Sequence, residues 1–391
     1  MIKNENEMNV AEIITDNRGN EHSEKTSNVI AKLYDRITNV LVDTSAYVMV
    51  DCDFMGIKAP KLPSFFSILK EKNIKLVSCS ILDNEILEKI EEKSSICKEY
   101  REFCSKLDKC KDAIIRLNGC DENTLNTIGN IKLKNEIYQT YKEYYSNAIQ
   151  LDFVSPEIIF KRYFALEPPF MPKKNKKNEF PDAFVIEAAK QYIEANKEEV
   201  LLVVTNDNDW IESFSCLENV VILKDINSVI EIFTKDYIAK DEINEVIRVS
   251  FNDIEKKIVE CMENEEFYIS EFDFEDRIKI LRAKVDDIKD VFPLQKTNSS
   301  LFVCAKVLIS IIGTGTVFDQ ENSIWDEVER EYFIKKYFDV YFDDGVVEIE
   351  CFIDFEYNSN NPLDSIKVSK VTINNRNCIE ILATNIHIEE I

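Results

Sequence analysis

The chain has 391 residues, with 48 Lys+Arg against 73 Asp+Glu for a formal net charge of −25, and it carries only two histidines and seven glycines. With His22 and His387 as the whole histidine supply, a Ser-His-Asp triad, a Cys-His pair or a multi-histidine zinc site has almost nothing to draw on. The glycines stand at 19, 56, 119, 129, 313, 315 and 345, so neither a Walker loop nor a full GxGxxG turn can be written. Carboxylates are left as the principal carriers of any chemistry.

The length suggests about two domains, at roughly 100–200 residues each, and 45% hydrophobic residues suffice for buried cores. Eleven scattered cysteines without a CxxC pair fit reduced thiols and a cytoplasmic location. The first twenty residues lack the apolar core of a signal peptide. The longest apolar stretch, Leu301 to Phe318, is interrupted by Lys306 and two glycines; it reads as buried strand, and no membrane partner is expected. A charge of −25 argues against a polyanionic partner, but residues 241–391 alone hold 16 Lys+Arg against 33 Asp+Glu, a net of −17 that leaves −8 for the first 240.

Residues 1–35 read as a polar tail with a lead-in helix. Val40–Val42 is a short apolar run that ends at Asp43, and Pro63 opens an amphipathic stretch with Phe65, Phe66, Ile68 and Leu69 at helical spacing. Ile74–Ser78 reads as a second strand and Ile81–Glu92 as a helix. From Ile96 to Leu166 the pattern is almost wholly helical, with a tyrosine stripe at Tyr141, Tyr144 and Tyr145 that reads as core. A basic, breaker-rich segment follows (PPFMPKKNKKNEFP), then a helix from Asp182 to about Ala195, and the strands LLVVT and VVIL. Strands alternating with helices predict a parallel α/β sheet over residues 36–235, with a helical insertion at about 96–180. Residues 236–295 read as a charged helical connector. Residues 296–391 read as an antiparallel β domain of about five strands, one face packed and one wet, with a hairpin turn at Asp343-Asp344-Gly345. Alternation puts Val347, Ile349, Cys351, Ile353 and Phe355 on one face, and the glycines at 313 and 315 mark a strand bend.

Four acids stand where strands run out or helices begin. Asp43 follows the first strand and precedes Thr44-Ser45; Glu85 lies on the next strand's helix; Asp182 opens a helix; Asp207 follows LLVVT, with Asp209 two residues on. Open parallel sheets bind ligands outside the carboxyl ends of their strands, so these positions can meet in one cleft. Converging carboxylates repel one another and suit hard divalent cations, Mg²⁺ or Mn²⁺. Two such ions can clamp a phosphodiester and ionise water without any histidine. Taken singly, each acid has an ordinary reading: Asp182 as a helix N-cap, Glu85 as a solvated helix residue, Asp207 and Asp209 as turn residues.

The ordered set, Asp43-Thr-Ser, helical Glu85, Asp182-Ala-Phe and Val-Val-Thr205-Asn-Asp207-Asn-Asp209-Trp210, resembles the PIN-domain ribonucleases. It is similar in particular to long PIN-like chains with a helical insertion and an extra C-terminal domain. The resemblance covers roughly residues 36–225. It implies a parallel sheet of order 3-2-1-4-5 flanked by helices and metal-dependent cleavage of single-stranded RNA, with Asp43, Glu85, Asp182 and Asp207 as catalytic metal ligands. Asp209 is the alternative fourth ligand, and Thr44, Ser45 and Thr205 are supporting residues. The frequent Asp-Thr-Asn of the first motif has Ser45 in place of Asn here, and serine can still hydrogen-bond to Asp43. Lys173, Lys174, Lys176 and Lys177 precede Asp182 as candidate phosphate contacts, and Arg162 and Tyr163 are a candidate charge and stacking face. The leading expectation is a metal-dependent endoribonuclease, compatible with a toxin or defence role. The alternative is a PIN-like scaffold that binds nucleic acid or protein without catalysis. The β domain is a candidate surface for a protein partner or regulator, and homo-oligomer formation is a further candidate. A haloacid-dehalogenase phosphatase would want Asp-x-Asp at the first strand, where this chain has Asp43-Thr-Ser45.

Overall fold

The computed structural model describes residues 34–118, 122–170, 179–272, 274, 277–326, 330–358, 365–374 and 378–390. The polar tail expected at the N-terminus therefore lies almost wholly outside the described residues. The chain forms two compact units that divide between Ile232 and Phe233.

In the first unit, β1 (Asn39–Val42) leads into the short α1 (Thr44–Met49) and α2 (Lys61–Glu71). β2 (Lys75–Ser78) is followed by α3 (Ser80–Lys93), and then by α4 (Ser95–Asn118), α5 (Glu122–Gly129) and α6 (Leu133–Tyr144). After β3 (Ile149–Gln150) come α7 (Pro156–Ala165), α8 (Phe180–Ala195), β4 (Leu201–Val204), α9 (Asn208–Phe214), β5 (Val220–Leu223) and α10 (Ile226–Thr234). The strand order is β3-β2-β1-β4-β5, and every pairing is parallel.

All four residues of β1, β4 and β5 are buried, the signature of strands covered by helices on both faces. Leu41, Val77, Leu201, Val203 and Ile222 pack with Ile186, Ala189 and Ile193 of α8. Elsewhere in the unit Tyr47, Phe54, Phe66, Tyr141 and Tyr145 form an aromatic cluster with ring centroids 4.5–6.4 Å apart. The tyrosine stripe is core, and it docks α6 of the insertion against the segment after β1. A pair of buried hydroxyls, Tyr47 and Tyr145 at 2.5 Å, closes that contact.

The stretch expected to be almost wholly helical contains β3, the edge strand, whose two residues pair Val77 with Ile149 and Ser78 with Gln150. Two residues are too few to show a period. The Asp182 helix begins earlier than expected. Phe180 is its first residue and Glu179 its N-cap, so Asp182 is not a cap.

In the second unit, α11 (Lys240–Met262) and the short β6 (Phe267–Tyr268) precede the long strands β7 (Lys279–Lys296), β8 (Ser300–Asp326) and β9 (Glu331–Glu356). β10 (Lys367–Ile373), β11 (Ile379–Glu380) and β12 (Ile386–Glu390) complete it. The main sheet runs β10-β9-β8-β7, with β12 also on β9, and all its pairings are antiparallel. Ile243, Val246, Ile247, Ile254, Ile258 and Met262 line one stripe of α11 and share a core with Leu301, Val303, Val307, Ile309 and Ile311. Ile349, Ile353 and Phe355 join the same core, as the alternation predicts. The opposite face is not uniformly wet, because Cys304 and Phe352 are buried there beside exposed Lys306 and Ser310.

Two local expectations fail in this unit. The connector expected over 236–295 is not all helical, because β7 occupies its last third. Four register shifts against β8 break the period-2 pattern that would have marked it as strand. Asp343-Asp344-Gly345 is no hairpin either; β9 runs straight through it. The register moves from Ile311↔Gly345 to Gly313↔Phe342, so one extra residue of β9 is absorbed as a bulge. The Asp344 carboxylate accepts the backbone N–H groups of Thr384 and Asn385. Gly313 is needed where β8 meets Phe342: an added Cβ would stand 2.5 Å from the Phe342 ring tip and 3.0 Å from the Lys279 carbonyl oxygen.

Among the described residues all ten cysteines are free. Among the same described residues no helix is long and apolar enough to cross a membrane. Gly313→Ala is expected to destabilise the protein by about 1–3 kcal/mol through overpacking, read as a lower urea midpoint. Gly129→Ala, with nothing within 4 Å of the new methyl, is the control expected to leave the midpoint in place.

Candidate active site

β1 and β4 lie side by side in register, so the segments that leave their carboxyl ends are neighbours. Asp43 follows β1 as the N-cap of α1, only 4% exposed, and its backbone N–H donates to the Val204 carbonyl at 2.9 Å. Its side chain accepts three hydroxyl groups. Ser45 Oγ and Thr205 Oγ1 (2.8 Å) donate to Oδ2, and Thr44 Oγ1 stands 3.4 Å from Oδ1. Thr44 Oγ1 is also 3.4 Å from Glu85 Oε2, so its single proton can serve only one of the two acids at a time. Thr205 connects onward, because its hydroxyl accepts the Asp207 N–H at 3.0 Å.

Glu85 stands on α3, whose Leu82, Ile86 and Ile90 face the core. Asp83 of the same helix accepts Ser78 Oγ, Tyr141 OH and Lys142 Nζ at 3.1, 2.8 and 2.7 Å. That fastens the Glu85 helix to α6 of the insertion. Asp182, in the first turn of α8, accepts the indole N–H of Trp210 at 3.0 Å. Trp210 was legible in the sequence only as the end of a motif; buried to 1%, it fixes one Asp182 oxygen. Asp207 caps α9 by accepting the Asp209 N–H at 2.6 Å, which is the turn reading of this residue. It also acts on the other acids through its charge.

The electrostatics bind the group together. Burial raises the pKa of Asp43, against the Ser45 and Thr205 hydrogen bonds, and the Asp207 charge adds to the rise. Burial and the Asp43 charge raise that of Glu85. Asp182 is pushed up to about 7, first by burial and then by Asp43, Glu85 and Asp207, against the Trp210 hydrogen bond. Asp43, Glu85 and Asp182 thus each feel a neighbouring acid's charge, and that of Asp207 bears on Asp43 and Asp182. Asp209 is buried at 6% but is not among the principal charges felt by the other three shifted acids.

Residues 38–210 match the family model of the PIN domain. The first unit of this chain is a PIN domain. The match includes none of the second unit, and neither curated proteins nor solved structures yield a match to the chain. PIN domains are typically nucleases and generally use divalent metal ions. The donor set here fits such an ion in kind: all oxygen, with raised pKa values that a neighbouring cation would reverse. Its spacing is looser. Among the described residues no three His, Cys, Asp or Glu side chains are grouped closely enough to hold a metal ion.

Of the remaining candidates, Lys173, Lys174, Lys176 and Lys177 lie outside the described residues. Arg162 is paired with Glu187 of α8 at 2.6 Å. Tyr163 packs edge-on against Phe170 and tilted against Phe180, so its ring is engaged within the PIN domain.

Asp182 gives the site a pH signature. Its ordinary value is 3.8 and its folded value about 7, so its contribution to stability is fully present below the unfolded pKa and is lost as pH rises through the folded one. In chelator, the melting temperature is expected to fall between about pH 5 and about pH 8, and Asp182→Asn is expected to flatten that fall. Melting curves across this range decide it: an undiminished slope in the variant would remove Asp182 from the charge cluster.

Proposed function

We propose that the PIN domain is a metal-dependent endoribonuclease that hydrolyses phosphodiester bonds of single-stranded RNA, with Mg²⁺ or Mn²⁺ held by Asp43, Glu85, Asp182 and Asp207. The observation that carries this reading is the grouping of acids from separate segments: the Thr44 hydroxyl stands between Asp43 and Glu85, the Thr205 hydroxyl links Asp43 to the Asp207 backbone, and the charges of Asp43, Glu85 and Asp207 all bear on Asp182. A fold has little reason to collect buried and half-buried like charges unless a cation is to join them.

Bound divalent ions would supply charge neutralisation, acidification of the attacking water and stabilisation of the leaving oxygen. The protein's own groups do the rest. Ser45 and Thr205 hold Asp43 in one orientation, so that its position does not depend on the cation. Trp210 donates to Asp182 Oδ1 and so fixes the orientation of that carboxylate. Near neutral pH, without a cation, Asp182 holds a proton for part of the time; a bound cation would displace it, so metal affinity would rise with pH. In the overall reaction water adds to phosphorus, the P–O3′ bond breaks, and the 3′ oxygen takes a proton. A 5′-phosphate and a 3′-hydroxyl remain.

The second unit is proposed to act as a sensor, partner-binding or autoinhibitory module rather than an RNA clamp, since residues 241–391 carry a net charge of −17 and would repel a polyanion. A cytoplasmic location agrees with the free cysteines. One observation favours a second reading, a PIN-like binding module without catalysis: no close three-ligand group stands among the described residues.

The discriminating experiment incubates the full chain with labelled single-stranded RNA and Mn²⁺ or Mg²⁺, beside Asp43→Asn, Asp207→Asn and Asp209→Asn. Cleavage is expected to require the metal and to fall by at least about a hundredfold in the first two variants, since even groups behind metal ligands are worth roughly 10–100-fold. Metal-dependent cleavage untouched by Asp43→Asn would overturn the site. Loss in Asp209→Asn but not in Asp207→Asn would exchange the fourth ligand. An intact chain that binds RNA without cutting it would establish the binding module.

A further inference from the structure

α7 presents two faces of opposite character. Ile159 is fully buried in the core of the PIN domain, whereas Phe160 and Phe164, one helical turn apart on the same side, are 50% and 77% exposed. Phe153, just past β3, is 91% exposed. Single exposed apolar residues are ordinary on protein surfaces. Three phenylalanines within twelve residues, with no aliphatic equivalent among them, are a chemically uniform set.

Two further observations place the Phe160 end of this set. The Phe160 ring lies 5.6 Å from that of Phe180, and Phe180 shares the first turn of α8 with Asp182. Cations are interleaved with the rings. Lys161 and Arg162 stand between Phe160 and Phe164, and Lys190 of α8 has its pKa lowered by burial and then by the Arg162 charge. Among the described residues Lys161 makes an exposed i,i+4 pair with Glu157 at 2.9 Å, the kind of contact that a phosphate can replace at little cost.

We propose that Phe153, Phe160 and Phe164 form a stacking platform for the unpaired bases of single-stranded RNA whose backbone enters the acidic cleft. The proposal rests on the nuclease reading above and adds what selects single strands. Rings with both faces committed inside a duplex cannot stack on a protein side chain, whereas unpaired bases of any identity can. Lys161 lies where it would meet the phosphates between stacked bases.

The test uses the full chain carrying Asp43→Asn to prevent cleavage, with and without Phe160→Leu and Phe164→Leu together. Leucine keeps the apolar area and removes the flat face. Two labelled strands of equal length are titrated by fluorescence anisotropy, one of uridines and one abasic. The double substitution is expected to weaken the uridine strand roughly tenfold and to leave the abasic strand unchanged. With Asp43 restored, KM is expected to rise by a similar factor while kcat is retained. Unchanged uridine binding, or equal losses on both strands, would overturn the platform. So would a dimer, seen by sedimentation, that the leucines dissolve while RNA binding is untouched, since the patch would then be a surface for a second copy. The two readings fail separately. Cleavage by the unsubstituted chain without strand discrimination keeps the nuclease and overturns the platform. Discrimination without cleavage keeps the platform and overturns the nuclease.

Discussion

The constraint on which the first unit turns is the burial of negative charge where parallel strands end. Removing a carboxylate from water is unfavourable unless hydrogen bonds or counter-charges replace the lost solvation. Asp43 has the hydrogen bonds: three hydroxyls from Thr44, Ser45 and Thr205 converge on it. Among the described residues Asp182 has the Trp210 indole on one oxygen, and burial raises its proton affinity. The two acids sit in one cluster and solve the same problem to different degrees. The protein has therefore prepared one acid held rigidly by hydroxyls and one that titrates near neutrality.

The rest of the PIN domain serves that arrangement. Parallel pairing of β1 with β4 brings Asp43 beside the Thr205–Asp207 segment, and the Asp43 N–H bond to Val204 fixes the spacing. α3 brings Glu85 within reach of Thr44, and Asp83 on the same helix ties it to Tyr141 and Lys142 of α6. The insertion is thus a brace for a site-bearing helix, joined to it by hydrogen bonds as well as by the tyrosine cluster.

Much of this was legible in the sequence because it depends on local signals: a buried apolar run stopping at Asp43, LLVVT stopping before Asp207, and helical periodicity around Glu85 and Asp182. The sheet order came from the likeness to PIN domains rather than from any periodicity. What stayed hidden depends on tertiary partners. β3 has two residues and exists because β2 offers a free edge. Asp343-Asp344-Gly345 has the chemistry of a turn, yet an unbroken β8 alongside and the Thr384 and Asn385 N–H groups hold it in a strand. β7 hid behind its register shifts. The role of Trp210 was invisible because an indole at a motif's end says nothing of which carboxylate it will meet.

The ribbon of β8 and β9 has unequal support along its length. From Leu301 to Thr314, β8 lies between β7 and β9, over the core that includes α11. Beyond Val317 its strand partner among the described residues is β9, and the outer stretch leaves Ile324, Trp325 and Phe333 largely in solvent. One continuous strand therefore spans two regimes of local stability. Amides at its inner end open only with the whole second unit, while those at its outer end open by fraying, so backbone exchange along a single strand grades from global to local.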